Sequence, residues 1–167
     1  MAVEDKFVNA LAAAGKKTPP IAGAGGQLLC IAFAFEVAAA DSNESVYRLG
    51  RLPANAIPIK SEIFADAAID STDADLGLYK PGVGGAVVDI DLFANGLDIA
   101  SGEPVTAPLN GLTDLGGADP IANQGKTLWE LLGLSEPSRQ DYDLAMTLRV
   151  AGGAAGTIAG NFWYVLG

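Results

Sequence analysis

Residues 141–150 read DYDLAMTLRV, and this stretch decides the predicted fold. Large apolar side chains occupy every second position from Tyr142 to Val150, and smaller or polar side chains lie between them. Strict alternation over this length predicts a β-strand, because successive side chains of a strand point to opposite faces of its sheet. We expect the large apolar positions to face a core and the positions between them to face solvent.

Six further stretches alternate in the same way between turn residues: 27–37, 44–52, 56–64, 73–79, 87–93 and 157–166. Strands with one polar face prefer antiparallel pairing, and two such sheets bury their apolar faces by packing together. We therefore predict an all-β fold, an antiparallel β-sandwich, and within that class a jelly roll. The 27–37 stretch is apolar on both faces, which predicts a central strand covered on both sides, with a partner protein as one candidate cover.

The region between the stretches 87–93 and 141–150 is less regular. Residues 94–126 are rich in Gly, Pro and Asp, which predicts a long surface loop. Within it, Asn95-Gly96 is a typical hairpin signal. Residues 127–133 predict one short helix, with Thr127 as its cap and Glu130 in the position of a capping box.

The N-terminal segment differs from the rest of the chain. Apolar residues in 3–14 follow the spacing of one helix face, and Gly15 is placed to end that helix. The segment carries two acidic and three basic residues, whereas the whole chain has a net charge of −10. We predict an arm and linker over 1–26 and the sandwich domain over 27–167. The helix either packs on its own domain or docks on a neighbouring subunit, and in the second case the partner-binding residues would be Phe7, Leu11, Lys16 and Lys17.

Composition excludes several classes of chemistry. The 167 residues contain no histidine, so Ser-His-Asp and Cys-His catalytic sets and His-containing metal sites are absent. The acidic balance, 10 Lys+Arg against 20 Asp+Glu, argues against nucleic acid as a partner. Cys30 is the single cysteine, so no internal disulfide forms, and its apolar surroundings predict a buried structural thiol. No apolar run approaches the roughly 20 residues that span a membrane, and Glu4 and Asp5 lie where an export signal would need positive charge.

Three patterns could carry chemistry, and each also has a plain structural explanation. Residues 125–127 read GKT, as at the end of a phosphate-binding loop, but Pro120 stands where that motif needs glycine. The acidic residues of 62–119 could bind calcium, although no calcium-loop spacing is present. Asp89 and Asp91 could form a carboxylate pair for acid–base catalysis, but they are expected to face solvent. We therefore expect a helix cap and a solvated acidic surface, with no cofactor, no metal and no enzymatic activity.

The stretch Ser45–Ile59, with Leu49-Gly50-Arg51-Leu52-Pro53 and the following Ala54-x-Ala56, resembles a sequence found in small virion proteins of tailed bacteriophages. An acidic strand similar to residues 75–79 follows in such proteins. The resemblance covers about 27–93 and is one of sequence style, without a catalytic signature.

The resemblance implies a capsid decoration (cement) protein or a related structural protein. Proteins of this kind are often jelly-roll sandwiches that bind the major capsid protein on the capsid surface as trimers or other homo-oligomers, and they would be made in the host cytoplasm. The alternative is a carbohydrate- or receptor-binding sandwich resembling a fibre head. Trp129 and Trp163 would then form a sugar platform, whereas in the first interpretation they anchor the core or an interface.

Overall fold

Two β-sheets make up most of the chain that the structure describes. The computed structural model describes residues 5–7, 27–66, 69, 73–100, 123, 125–136, 139–151 and 153–167, with residues 5–7 described by their backbone alone. The elements are β1 (Asp5–Phe7), β2 (Leu29–Val37), β3 (Ser45–Pro53), β4 (Ala56–Ala65), β5 (Ala74–Tyr79), β6 (Val87–Leu97), α1 (Leu128–Leu131), β7 (Asp141–Leu148) and β8 (Gly156–Leu166).

The sheets contain five and three strands. The five-stranded sheet has the order β1-β3-β7-β5-β6, and the three-stranded sheet has the order β2-β8-β4. Strand β1 runs parallel to β3, and every other pairing is antiparallel. The predicted all-β sandwich is therefore confirmed, while its finer form as a jelly roll stays a prediction.

The core lies between the two sheets and follows the alternating pattern. Leu144, Met146 and Leu148 of β7 are completely or almost completely buried, as are Ile158 and Phe162 of β8. Burial of each such side chain contributes about 1.5–3 kcal/mol through the hydrophobic effect. The sequence pattern therefore identified the core-facing positions of these strands correctly.

The opposite face of β7 was predicted to face solvent, and this is wrong. Asp143, Ala145 and Thr147 are also buried. The hydroxyl groups of Thr147 and Tyr79 are 2.7 Å apart and share a hydrogen bond across β7 and β5. Neighbouring strands supply hydrogen-bond partners for the polar groups on this face, and these partners allow the groups to be buried. The alternation within a single strand does not reveal such partners.

A buried ion pair organises this polar layer. Arg48 of β3 and Asp143 are both fully buried, and Arg48 Nη1 lies 3.3 Å from Asp143 Oδ2. Asp143 also accepts hydrogen bonds from Arg51 Nε at 2.8 Å and from the backbone N–H of Gly82 at 2.8 Å. Removing two charges from water costs several kcal/mol for each ion, so a network this complete is needed to offset the cost.

The same arginine positions the turn between β5 and β6. Arg48 donates from Nη1 to the carbonyl oxygen of Lys80 and from Nη2 to that of Gly85, each at 3.0 Å. The N–H of Lys80 donates to the carbonyl of Ala86 at 2.8 Å and closes the turn. Strands β3, β7 and the 80–86 turn are therefore connected through one buried side chain.

The Asn95-Gly96 pair does not form a hairpin, so that prediction is wrong. Both residues lie inside β6, where the register with β5 shifts between Ala74 and Leu76. Gly96 has φ +68, and its N–H donates to Asp75 Oδ1 at 3.0 Å. A positive φ within a strand is typical of a β-bulge, so the residues that favour a tight turn here supply a bulge instead.

The helix predicted for 3–14 is wrong where the structure describes it. Asp5–Phe7 form β1, with Asp5 beside Val46 and Phe7 beside Arg48. Short isolated helices are marginal in water, whereas the edge of β3 offers backbone partners. The rest of 3–14 lies outside the described residues, and the division into an arm and a domain stays a prediction.

Strand β2 was predicted to be central, but among the described strands it lies at an edge of the three-stranded sheet, so that prediction is wrong for the described part of the chain. The short helix is confirmed, and α1 follows Thr127, whose N–H and hydroxyl donate to the Glu130 carboxylate at 2.8 and 2.7 Å. These hydrogen bonds lower the pKa of Glu130. Residues 94–97 of the predicted long loop belong to β6, and 101–122 lie outside the described residues.

Replacing Asp143 tests whether the buried ion pair stabilises the fold. We expect Asp143→Ala to lower the free energy of unfolding by about 3–5 kcal/mol, because Arg48 keeps its charge and loses its counter-ion. Urea denaturation followed by tryptophan fluorescence measures the change. Glu62→Ala is the control, since the Lys60–Glu62 pair is largely exposed and its loss should cost less than about 1 kcal/mol. Equal effects of the two variants would contradict the prediction.

Replacing Gly77 tests how closely β6 approaches β5. A Cβ atom at Gly77 would lie 2.2 Å from the backbone oxygens of Asp89 and Ile90, so the backbone itself would have to move. We expect Gly77→Ala to destabilise the fold by about 3 kcal/mol or more. Gly50→Ala is the comparison, because there the nearest atom is a movable side-chain methyl of Ile31 at 2.7 Å. Thermal unfolding should show the larger loss at Gly77; the reverse order would be inconsistent with this packing.

Candidate interaction surfaces

The predicted partner-binding residues belong to the N-terminal segment. Phe7 is the last residue of β1, and its backbone pairs with Arg48 at one edge of the five-stranded sheet. Leu11, Lys16 and Lys17 lie outside the described residues. Their role in binding a partner therefore stays a prediction.

The carboxylates of the predicted candidate sites make hydrogen bonds and ion pairs within the fold. Asp89 and Asp91 are both half-buried on β6, and the N–H of Asp91 lies 3.4 Å from Asp89 Oδ1. Asp75 is buried, accepts the N–H of Gly96 and lies 3.3 Å from Arg149 Nε. Burial is the largest influence on the Asp75 carboxyl and raises its pKa, with the Gly96 and Arg149 contacts acting in the opposite direction. No group of three metal-binding side chains occurs among the described residues.

The GKT sequence lies at the start of α1. Gly125 has φ +78, and the Lys126 ammonium group donates to Asn123 Oδ1 at 2.9 Å. The helix that follows has only four residues, so it offers a short dipole and few free N–H groups. This geometry matches the expected helix cap. Within the described part of the chain, no helix is long and apolar enough to cross a membrane.

The solvent side of the three-stranded sheet exposes large apolar side chains. We call it the outer sheet face. It contains Cys30, Ala32, Ala34 and Glu36 of β2, Ala159, Asn161 and Trp163 of β8, and Ile59, Lys60, Glu62 and Phe64 of β4. Ile59 and Phe64 are 48% and 43% exposed, which is high for large apolar side chains. Exposed apolar side chains that share one sheet face are typical of interaction sites.

Lys60 and Glu62 on the outer sheet face form an ion pair, and Glu36 of β2 is a third charged residue there. Lys60 Nζ lies 3.0 Å from Glu62 Oε1 and 4.3 Å from the centre of the Trp163 ring. The ion pair is neutral, so Glu36 leaves this face with one net negative charge on a chain whose net charge is −10. The ammonium group also covers the exposed side of the indole ring, so a sugar would have to displace it in order to stack there. Trp129 is partly buried against the core.

Cys30 lies on the outer sheet face, so the predicted buried structural thiol is wrong. The residue is exposed, and its Sγ lies 3.6 Å from Asn161 Oδ1. Partial burial by neighbouring groups still raises the pKa of the thiol. Sequence reasoning missed this surface because both faces of β2 are largely apolar, and only the packing against the facing sheet shows which face is covered.

Chemical labelling tests the position of Cys30. We expect an uncharged maleimide to label the folded protein to completion without denaturant, because the thiol is accessible. The thiolate is the reacting species, and the raised pKa means that the labelling rate should still be increasing at pH 9. The urea-unfolded protein serves as the control. A thiol that reacts only after unfolding would refute the assignment.

Comparisons with known proteins bear on the fold. No family model and no curated protein matches the chain. Among solved structures, a chain of the capsid of Ralstonia phage GP4 is 19% identical, with a TM-score of 0.65 over 97% of this chain and 99% of that one. A chain of the cyanophage Pam1 capsid asymmetric unit is 16% identical, with a TM-score of 0.46 over 91% and 94% of the two chains. A chain of the acidic stable capsid of Helicobacter pylori bacteriophage KHP30 is 12% identical, with a TM-score of 0.43 over 84% and 89%.

The GP4 comparison covers nearly the full length of both chains, so the described sandwich is the same overall fold. The predicted resemblance to phage virion proteins is confirmed at the level of the fold.

Proposed function

We propose that this chain is a structural protein of a bacteriophage virion, and specifically a decoration protein that binds the outside of the capsid. The observation that carries the proposal is the fold shared with a chain of a phage capsid over nearly the whole length. In this role the protein binds the major capsid protein and stabilises the shell by bridging its subunits. It is synthesised in the host cytoplasm and located on the capsid surface.

The physical properties of the chain support this role. A decoration protein needs a rigid body and a surface for protein contacts, and it needs no catalytic group. The buried Arg48–Asp143 network stiffens the body, and the outer sheet face supplies apolar contact area. Many identical copies on one shell act together, so each contact can be weak. We propose accordingly that the protein is not an enzyme.

The N-terminal segment is the proposed contact with the shell. It contains Phe7 and Leu11 as apolar residues and Lys16 and Lys17 as positive charges. Positive charge on an acidic protein limits binding to surfaces of opposite charge, which favours a defined orientation on the shell. The body would then project outward, with copies assembled as homo-oligomers, for which the resemblance implies a trimer.

The alternative function, a carbohydrate- or receptor-binding sandwich, depends on an aromatic platform. Trp163 is suitably placed on a sheet face, but Lys60 lies over its ring. This contact favours the decoration role over sugar stacking.

Charge reversal in the N-terminal segment tests the proposal. We expect Lys16→Glu with Lys17→Glu to reduce occupancy on purified, undecorated shells of the encoding phage by about tenfold, because like charges then oppose binding. Quantitative gel densitometry of sedimented shells measures the occupancy. The matched control is Lys80→Glu with Arg139→Glu, which makes the same charge change at exposed positions of the body.

The outcomes separate the two parts of the proposal. If the wild-type protein does not bind shells, the decoration role is wrong. If it binds and both double variants bind equally well, the N-terminal segment is not the contact. Displacement of the wild-type protein from shells by simple sugars would favour the alternative function.

A further inference from the structure

The edges of the two sheets differ in how well they are protected against pairing. Exposed strand edges present free backbone N–H and C=O groups, and soluble proteins usually block them with prolines, lysines, bulges or short strands. Strand β1 has three residues, and the register of β6 with β5 is interrupted three times. Strand β4 contains Pro58, a register shift and Lys60. Each of these three edges therefore carries a protective feature.

Strand β2 carries none of these features. It pairs with β8 over nine consecutive residues without a register shift, and it contains no proline, glycine or basic residue. Glu36 is its single charged residue. Among the described residues, no strand lies beyond it in the sheet. A long, regular and apolar edge of this kind is suited to strand addition.

The burial of β2 shows that the described strands leave this side of the sandwich partly open. Leu29 and Ile31 belong to the inward-facing set of the strand, but they are only half-buried. The Ile31 side chain lies directly against Gly50 of the facing sheet. The three-stranded sheet is also two strands narrower than the sheet it covers. An additional strand beside β2 would cover Leu29 and Ile31 more fully.

The sequence of β2 is complementary to itself in the antiparallel direction. A register centred on Phe33 pairs all nine residues and keeps inward side chains on the inward face. It places Leu29 opposite Val37 and Ile31 opposite Phe35. On the outer face, Ala32 lies opposite Ala34, and Cys30 lies opposite Glu36. No like charges oppose each other, which matters because two copies with a net charge of −10 otherwise repel.

We propose that β2 of one copy pairs antiparallel with β2 of a second copy, in the register centred on Phe33. The pairing joins the two three-stranded sheets into one continuous sheet of six strands. It is an isologous contact with twofold symmetry, and it leaves other surfaces available for a trimer. The proposal does not rest on the decoration role, because the pairing holds or fails in solution without a capsid.

Disulfide cross-linking tests this register. Opposite residues of an antiparallel pair have Cβ atoms about 4.5–5.5 Å apart, close to the separation a disulfide needs. We expect Glu36→Cys to form a covalent dimer through Cys30 of one copy and residue 36 of the other under mild oxidation by diamide. Non-reducing gel electrophoresis detects the dimer.

Two controls define the result. Glu36→Cys with Cys30→Ala should not cross-link, because residue 36 of one copy is then far from any cysteine of the other. Ala34→Cys should cross-link weakly, because residue 34 lies diagonal to Cys30 at about 7–8 Å. Cross-linking by the single-cysteine control, or equal cross-linking by Ala34→Cys, would overturn the register.

A charge-repulsion variant tests the pairing without cross-linking. Ala32→Lys with Ala34→Lys places like charges opposite each other twice in the proposed register, at positions exposed in the single chain. We expect its self-association constant to fall by about tenfold or more in sedimentation equilibrium. Val83→Lys with Val150→Lys makes the same charge change at exposed positions elsewhere and serves as the control. Equal association of the two variants would overturn the proposal.

Discussion

The Arg48–Asp143 ion pair is the interaction on which the rest of the structure depends. It lies on the face of the five-stranded sheet opposite the core and joins β3, β7 and the 80–86 turn. Buried charges are costly, and a pair survives only where every donor and acceptor has a partner. The carbonyl groups of Lys80 and Gly85, together with Arg51 and the N–H of Gly82, supply those partners. The ion pair therefore holds the 80–86 turn against strands β3 and β7.

The two faces of the three-stranded sheet differ in character. Its inward face is an ordinary apolar core, while its outer face exposes Ile59, Phe64 and Cys30 and carries the Lys60–Glu62 ion pair and Glu36. A strongly acidic protein repels its own copies over most of its surface, so a region with little net charge is where association costs least. The unprotected edge of β2 adjoins this face. One sheet thus supplies rigidity, and the other supplies the surface for contacts.

Sequence patterning located the long strands well because alternation is a local property. The predictions failed where the burial or conformation of a residue depends on a contact with a distant part of the chain. Asp143 and Thr147 looked solvent-facing, but Arg48 and Tyr79 cover them from neighbouring strands. Asn95-Gly96 looked like a hairpin, but Asp75 accepts the Gly96 N–H and holds a bulge. The segment around Phe7 looked helical, but the edge of β3 pairs with it.

The sequence by itself determined the all-β class, the core-facing positions of β7 and β8, the short capped helix and the lack of histidine chemistry. Each of these follows from residue type or from spacing within one segment. The tertiary structure alone decided the sheet order, the position of β2 at an edge, the exposure of Cys30 and the burial of the Arg48–Asp143 pair. These properties depend on which distant strands become neighbours, and the alternation of a single strand contains no information about its neighbours.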